Sequence, residues 1–172
     1  MKEAPQEVPS AGGLRVAIVC SRFNAQVVDG LLLGAQTALA EMGAAPTRVR
    51  VVAVPGAFEL PLAARAAAES GRFDVVVALG AVIRGETDHY QHIAREVAAG
   101  LSRVAVLTGV PVGFGVLTVA EESQARARAA PGPENKGAEA ARAAVAMVHV
   151  LRGLRKTTGI RTSERVRRPG KR

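Results

Sequence analysis

The sequence predicts an α/β fold of three layers, with a four-stranded parallel sheet covered by helices on both faces. Three observations carry that expectation. Short, solid apolar runs such as Val75-Val-Val-Ala-Leu79 read as strands buried on both sides. These runs alternate with stretches in which apolar residues recur at helical spacing. The unusual residues cluster directly after the strands, which is where such sheets bind ligands.

Residues 1–13, with two prolines and Gly12-Gly13, read as a loose leader. Leu14–Cys20 is the first strand. Val27, Val28, Leu31, Leu32, Ala35, Leu39 and Met42 then mark a helix, and Gly43 supplies its stop. Val49–Val54 is the second strand, ended by Pro55-Gly56. Glu59 to Ser70 is Ala-rich and helix-compatible, with Gly71 as terminator. Val75–Ile83 forms the third strand and Asp88–Val104 the third helix. Val112–Val119 is the fourth strand, broken by Gly113 and Gly115, where another backbone is expected to approach closely. Glu121–Ala129 and Lys136–Lys156 close the chain as helices, separated by Pro131-Gly-Pro133. No internal repeat is present.

The 172 residues suit one domain, expected over 14–156. Only five side chains are aromatic, so Val, Leu and Ala must fill the core. The single cysteine, Cys20, rules out an intramolecular disulfide and reads as a buried, inert thiol. No apolar run approaches the roughly 20 residues of a membrane span. The first residues lack the apolar core of a secretion signal, so a cytoplasmic location is expected. Basic and acidic residues balance from Met1 to Leu151; the net charge of +8 comes from Arg152–Arg172, whose one acid is Glu164. A nucleic-acid-binding body would carry its basic residues across the fold. Residues 157–172 instead read as a basic, mobile, solvated tail, with weak attraction to RNA or another polyanion as the alternative.

Gly80-Ala-Val-Ile-Arg-Gly-Glu-Thr-Asp-His89-Tyr is the most informative stretch. It joins a strand to a helix, and the unpaired N–H groups and dipole of a helix start favour an anion such as phosphate. His89, just beyond Thr87, is placed to move protons beside a leaving group. Phe23 follows the first strand, either tucked onto the core or offering a flat face to a planar ring. Pro55-Gly56 forces a tight turn that brings the following amides close to a ligand. Glu59 falls at the next helix start, as a cap or as an acceptor for ligand hydroxyls. His89 and His92 are three apart, but no further Cys or His completes a ligand set, so no metal is expected. Glu86 would repel a phosphate if it pointed inward and is expected to face solvent. Taken alone, Arg128 and Lys136 read as solvated helix cations, although the Arg fork matches phosphate.

Six motifs occur in order: Ser21-Arg-Phe-Asn24, Val54-Pro-Gly-Ala-Phe-Glu-Leu-Pro61, Gly80-Ala-Val-Ile-Arg-Gly-x-Thr87 with His89, Pro111-Val-x-Phe-Gly-Val-Leu-Thr118, Gln124-Ala-x-x-Arg128 and Asn135-Lys-Gly137. Over about residues 14–156 the chain resembles the 6,7-dimethyl-8-ribityllumazine synthases of riboflavin biosynthesis, and a flavodoxin-like sheet is the architecture expected. The resemblance implies condensation of 5-amino-6-ribitylaminouracil with 3,4-dihydroxy-2-butanone 4-phosphate, releasing phosphate and water, with no cofactor or metal. It implies that Phe23 stacks on the pyrimidine, that Ala57, Phe58 and Glu59 hold the ribityl chain, and that backbone groups of Val82 and Ile83 read the pyrimidine edge. Gly85, Glu86 (through its amide), Thr87 and Arg128 would cradle the phosphate, and His89 would be the general acid–base. Phe114, Lys136 and Arg128 would come from a neighbouring subunit, implying a pentamer at minimum and, in some members, a sixty-subunit shell. A riboflavin synthase is a further possible partner. Two departures stand out: Glu134 where many relatives have Gly, and His92 where relatives usually carry Tyr. Between Arg128 and Lys136 there are none of the extra residues associated with members that stop at pentamers.

Three other readings compete. A riboflavin synthase of the same fold would have no phosphate to bind, which the Thr87 and Arg128 pairing opposes. A flavodoxin-type binding module would need flavin-flanking aromatics, and Tyr90 and Phe114 are thin support. A shell protein with weak catalysis would use its basic tail to gather RNA or acidic cargo.

Overall fold

β-branched and small apolar residues form the strands because they pack well on a pleated surface, which is buried on both sides along Val16–Ser21 and residues 75–82 but largely exposed along residues 49–53 at the sheet edge. The structure, a computed structural model, describes residues 8–160. Its strands are β1 (Val16–Ser21), β2 (Val49–Val54), β3 (Val75–Ile83) and β4 (Val112–Val119). They pair in parallel in the order β2-β1-β3-β4. The helices are α1 (Ala25–Glu41), α2 (Leu60–Glu69), α3 (His89–Thr108), α4 (Glu122–Ala129) and α5 (Lys136–Ile160). One hydrophobic cluster lies between the sheet and α1, α4 and α5; a second lies between the sheet and α2 and α3. This is the expected three-layer, flavodoxin-like arrangement. Cys20 is buried, and burial pushes its thiol pKa up.

Several boundaries differ from the sequence expectation. Helix α3 continues past Val104 to Thr108, until Gly109 adopts a left-handed φ of 67°. The added turn carries Val106 and Leu107, 80% and 73% exposed, so no core periodicity marked it. Helix α5 runs past Lys156 to Ile160. Short 3-10 turns at Pro46–Arg48 and Ala57–Glu59 precede β2 and α2. The expected loose leader gives way at its end, because Ala11 is fully buried and its N–H donates to Met42 O at 2.7 Å. Residues 1–7 of that leader, and the basic tail from residue 161 onward, lie outside the described residues.

The glycines of β4 match their expected purpose. A Cβ on Gly113 would strike the backbone carbonyl of Ala140, so α5 lies directly on the strand there. The hydrogen at this position is what lets the α5 layer close on the sheet.

The amino ends of β1 and β3 are tied together by one ion pair. Arg15 Nη2 donates to Asp74 Oδ1 at 2.9 Å, Arg15 Nε to Asp74 Oδ2 at 3.1 Å, and Arg15 N to Asp74 Oδ2 at 2.8 Å. The side-chain hydrogen bonds from Arg15 hold the Asp74 carboxyl below the usual carboxylate range, against a partial burial that opposes ionisation. A depressed folded-state pKa stabilises the fold above the unfolded carboxylate's range and loses that contribution as pH falls through the folded value. Asp74→Asn should therefore lower the melting temperature at pH 7 by a few degrees at most. It should also flatten the acid limb of a melting-temperature series; an unchanged limb would show that other carboxylates set it.

Candidate active site

A cavity of about 360 Å³ opens where β1, β2 and β3 end. Its position follows from the strand order, since β1 and β3 are neighbours whose connections leave on opposite faces of the sheet. Phe23 forms one wall. The β ladder continues past β1, with Arg22 N donating to Val54 O at 2.8 Å and Phe23 N to Pro55 O at 3.2 Å. Asn24 then turns into the left-handed region at φ 58°, which its short polar side chain tolerates. Its Nδ2 donates to Ala81 O at 2.9 Å. Held from both sides, the Phe23 ring stands 70% exposed and does not tuck onto the core.

The Pro55-Gly56 turn builds the second wall. Glu59 Oε2 accepts from Gly56 N at 2.9 Å, so this carboxylate caps the turn and lines the cavity at once. Ala57 is buried beneath it, whereas Phe58 is 57% exposed at the rim. The floor comes from β3, which outruns its neighbour. Pairing with β1 ends at Leu79, but pairing with β4 continues to Ile83. Ala81 O already points toward β1, so strand alternation turns the backbone groups of Ile83 to that same open side.

The third wall is the entry to α3. Gly85, Thr87 and His89 line the cavity, while Glu86 is exposed and outside the lining, as expected for its side chain. No side chain caps this helix; at its first turn only Gln91 N finds a local acceptor, Asp88 O at 3.0 Å. The first turn therefore presents N–H groups suited to an anion. His89 is the first helical residue, with Ile93 one turn on and Tyr90 beside it, all three lining the cavity.

The remaining expected residues lie elsewhere on the chain. Phe114, 49% exposed, and Lys136 line a separate apolar groove of about 610 Å³ between α3, β4 and α5. Lys136 Nζ is engaged by Glu139 Oε2. Arg128 sits on α4, across the sheet from α3, and its Nη1 donates to Gln124 O at 3.1 Å. One chain thus assembles Phe23, Ala57, Phe58, Glu59, Val82, Ile83, Gly85, Thr87 and His89, but neither Phe114, Lys136 nor Arg128. Sequence reasoning did not single out Asn24, Gly56, Ala81, Tyr90 or Ile93 as lining residues. For Asn24 the available signal was an Asn at a strand-to-helix turn; the other four depend on how the walls meet.

An exposed aromatic face and an uncapped helix start, sharing one cavity at the strand ends, define an α/β protein suited to a planar, anionic small molecule. Residues 13–152 match the family model described as 6,7-dimethyl-8-ribityllumazine synthase. Proteins of that name similar to this chain come from Micrococcus luteus, 52% identical over 83% of this chain and 89% of the relative, and from Kineococcus radiotolerans, 51% identical over 88% and 93%. The Edwardsiella ictaluri synthase is 51% identical over 87% of this chain and 97% of its own. The chain belongs to the 6,7-dimethyl-8-ribityllumazine synthase family, enzymes of riboflavin biosynthesis that act on small molecules. The same-fold riboflavin synthase reading is not favoured.

Proposed function

We propose that this chain condenses 5-amino-6-ribitylaminouracil with 3,4-dihydroxy-2-butanone 4-phosphate to give 6,7-dimethyl-8-ribityllumazine, phosphate and water. The observation that carries this reading is the convergence of Phe23, Glu59, Ile83, Thr87 and His89 on one cavity from three separate loops. Phe23 stacks on the pyrimidine and the backbone of Ile83 reads its edge, whereas strand alternation turns the backbone groups of Val82 toward β4. Ala57, Phe58 and Glu59 hold the ribityl chain. The amides of Gly85, Glu86 and Thr87 seat the phosphate. The attacking amine already belongs to the substrate, so the protein needs no covalent nucleophile. It gains rate by holding two molecules in register and by aiming donors at the departing phosphate. His89 moves the protons that imine formation, enolisation and ring closure require. The condensation is redox-neutral, so no cofactor enters it.

Phe114, Lys136 and Arg128 complete this site from a neighbouring copy, Arg128 on the phosphate. Phe114 and Arg128 are exposed, Lys136 is half-buried, and none of the three lines its own chain's cavity, which supports a shared site. A ring of five is the smallest assembly in this reading, and sixty-subunit shells and an enclosed riboflavin synthase extend it. Cytoplasmic location and a tail with only weak affinity for nucleic acid belong to the same proposal. The test is direct. Purified protein mixed with both substrates should produce the absorbance of the lumazine, with one phosphate released per turnover. Absence of both signals would overturn the assignment.

A further inference from the structure

We infer that Asn135 is a positioning residue: its amide nitrogen holds the Arg128 end of α4 while its amide oxygen seats Lys136 at the start of α5. The inference rests on the reading that Arg128 and Lys136 serve the neighbour's site. Asn135 is 2% exposed, and with Ser21 it is one of two buried polar side chains among the described residues. Its Oδ1 accepts from Gly137 N at 2.9 Å and Ala138 N at 3.1 Å, the N-cap pattern for α5. Its Nδ2 donates to Ala129 O at 2.8 Å, Ala130 O at 3.1 Å and Gly30 O at 3.1 Å. Both ends of the α4–α5 connection are thereby fastened to α1 by one planar group. Arg128 directly precedes the first of those carbonyl residues, and Lys136 directly follows Asn135.

Helix α1 is shaped to receive this amide. A Cβ on Gly34 would overlap the Asn135 carboxamide, and a Cβ on Gly30 would lie 2.6 Å from Ala129 O. Glycine in a helix interior is destabilising relative to alanine, so two of them at the contact indicate that close approach outweighs helix propensity there. A cap alone would explain the oxygen's bonds. It would not explain three carbonyl acceptors gathered around the two N–H groups of the nitrogen, or the space cleared in α1 for them. Arg128 and Lys136 carry their charge on long, flexible side chains, so their reach into another subunit depends on where their backbones are held. Displacement of about 1 Å at such a point costs on the order of a hundredfold in rate or affinity when the contact is directional.

Two variants loosen the nitrogen side and keep the cap. Asn135→Ser retains a capping oxygen but removes the amide N–H groups that reach the three carbonyls. Gly30→Ala leaves Asn135 intact and pushes Ala129 away. Each should raise the KM for the phosphorylated substrate about tenfold while the KM for the pyrimidine changes by less than about twofold. Leu14→Ala, a buried change at the amino end of the sheet, should lower the melting temperature without splitting the two KM values. Equal or no change in both KM values, or the same split in Leu14→Ala, would overturn the positioning role. Arg128→Ala separates the two levels of the argument. If it too leaves the phosphorylated substrate's KM unmoved, the shared-site reading has failed; if it alone responds, the inference about Asn135 has failed. Failure of both loosening variants to fold would assign Asn135 to stability alone and likewise overturn it.

Discussion

His89→Ala should slow turnover about tenfold to a thousandfold, with the KM values of both substrates kept within about threefold. The expectation follows from position. His89 begins α3 beside Thr87, on the wall of the cavity, and among the described residues its side chain has no hydrogen-bond partner that would give it a structural task. Removing it opens space at an exposed site, so the fold and the binding walls stay in place while proton traffic loses its carrier. Single-turnover kinetics read the effect most cleanly, because they separate chemistry from product release. A variant with wild-type turnover would remove His89 from the mechanism and leave the cavity as a binding site whose protons move through water or substrate.

Arg128→Ala should raise the KM for the phosphorylated substrate about ten- to a hundredfold and leave the pyrimidine's KM nearly unchanged, since a lost charge-assisted contact to phosphate costs roughly 1.5–3 kcal/mol. The structure adds a sharper form of the same experiment. Arg128 and His89 lie on opposite faces of one sheet, so they belong to different sites if sites are shared. Denatured His89→Ala and Arg128→Ala chains, refolded together in equal amounts, should then form assemblies in which about a quarter of the sites combine the His89 of one variant with the Arg128 of the other. Turnover at low phosphate-substrate concentration should exceed that of either variant alone. An additive mixture with no recovery would show that each chain works by itself and that the Arg128 contact lies within one subunit.

Much of the fold was legible because its signals are local. Short apolar runs rich in Val marked the four strands, the fourth despite its two glycines, and β3 and β4 match their expected limits. Gly113 announced a close approach, and α5 is what approaches. The errors have physical reasons as well. Val106 and Leu107 are apolar yet exposed, so the last turn of α3 carried no pattern tied to the core. Ala11 is buried in the core cluster and bonded to Met42 O, contacts between distant segments that composition does not record. At the site, Phe23 offered two readings, and the ladder bonds to Val54 and Pro55 decided between them. Glu59 also offered two, and it takes both, capping Gly56 while lining the cavity.

By itself the sequence determined the α/β class, the chemistry-bearing loops and the family, because apolar runs, turn residues and ordered motifs are properties of neighbouring positions. Only the tertiary structure decided which loops share a cavity and which stand apart. Strand order does this: it places β1 beside β3, gathers Phe23, Glu59 and His89 at one mouth, and sends Arg128, Phe114 and Lys136 elsewhere on the chain. Asn135 shows the same division at the scale of one side chain. Its five hydrogen bonds reach residues as far as Gly30 in sequence, and only the packed helices bring those partners within reach.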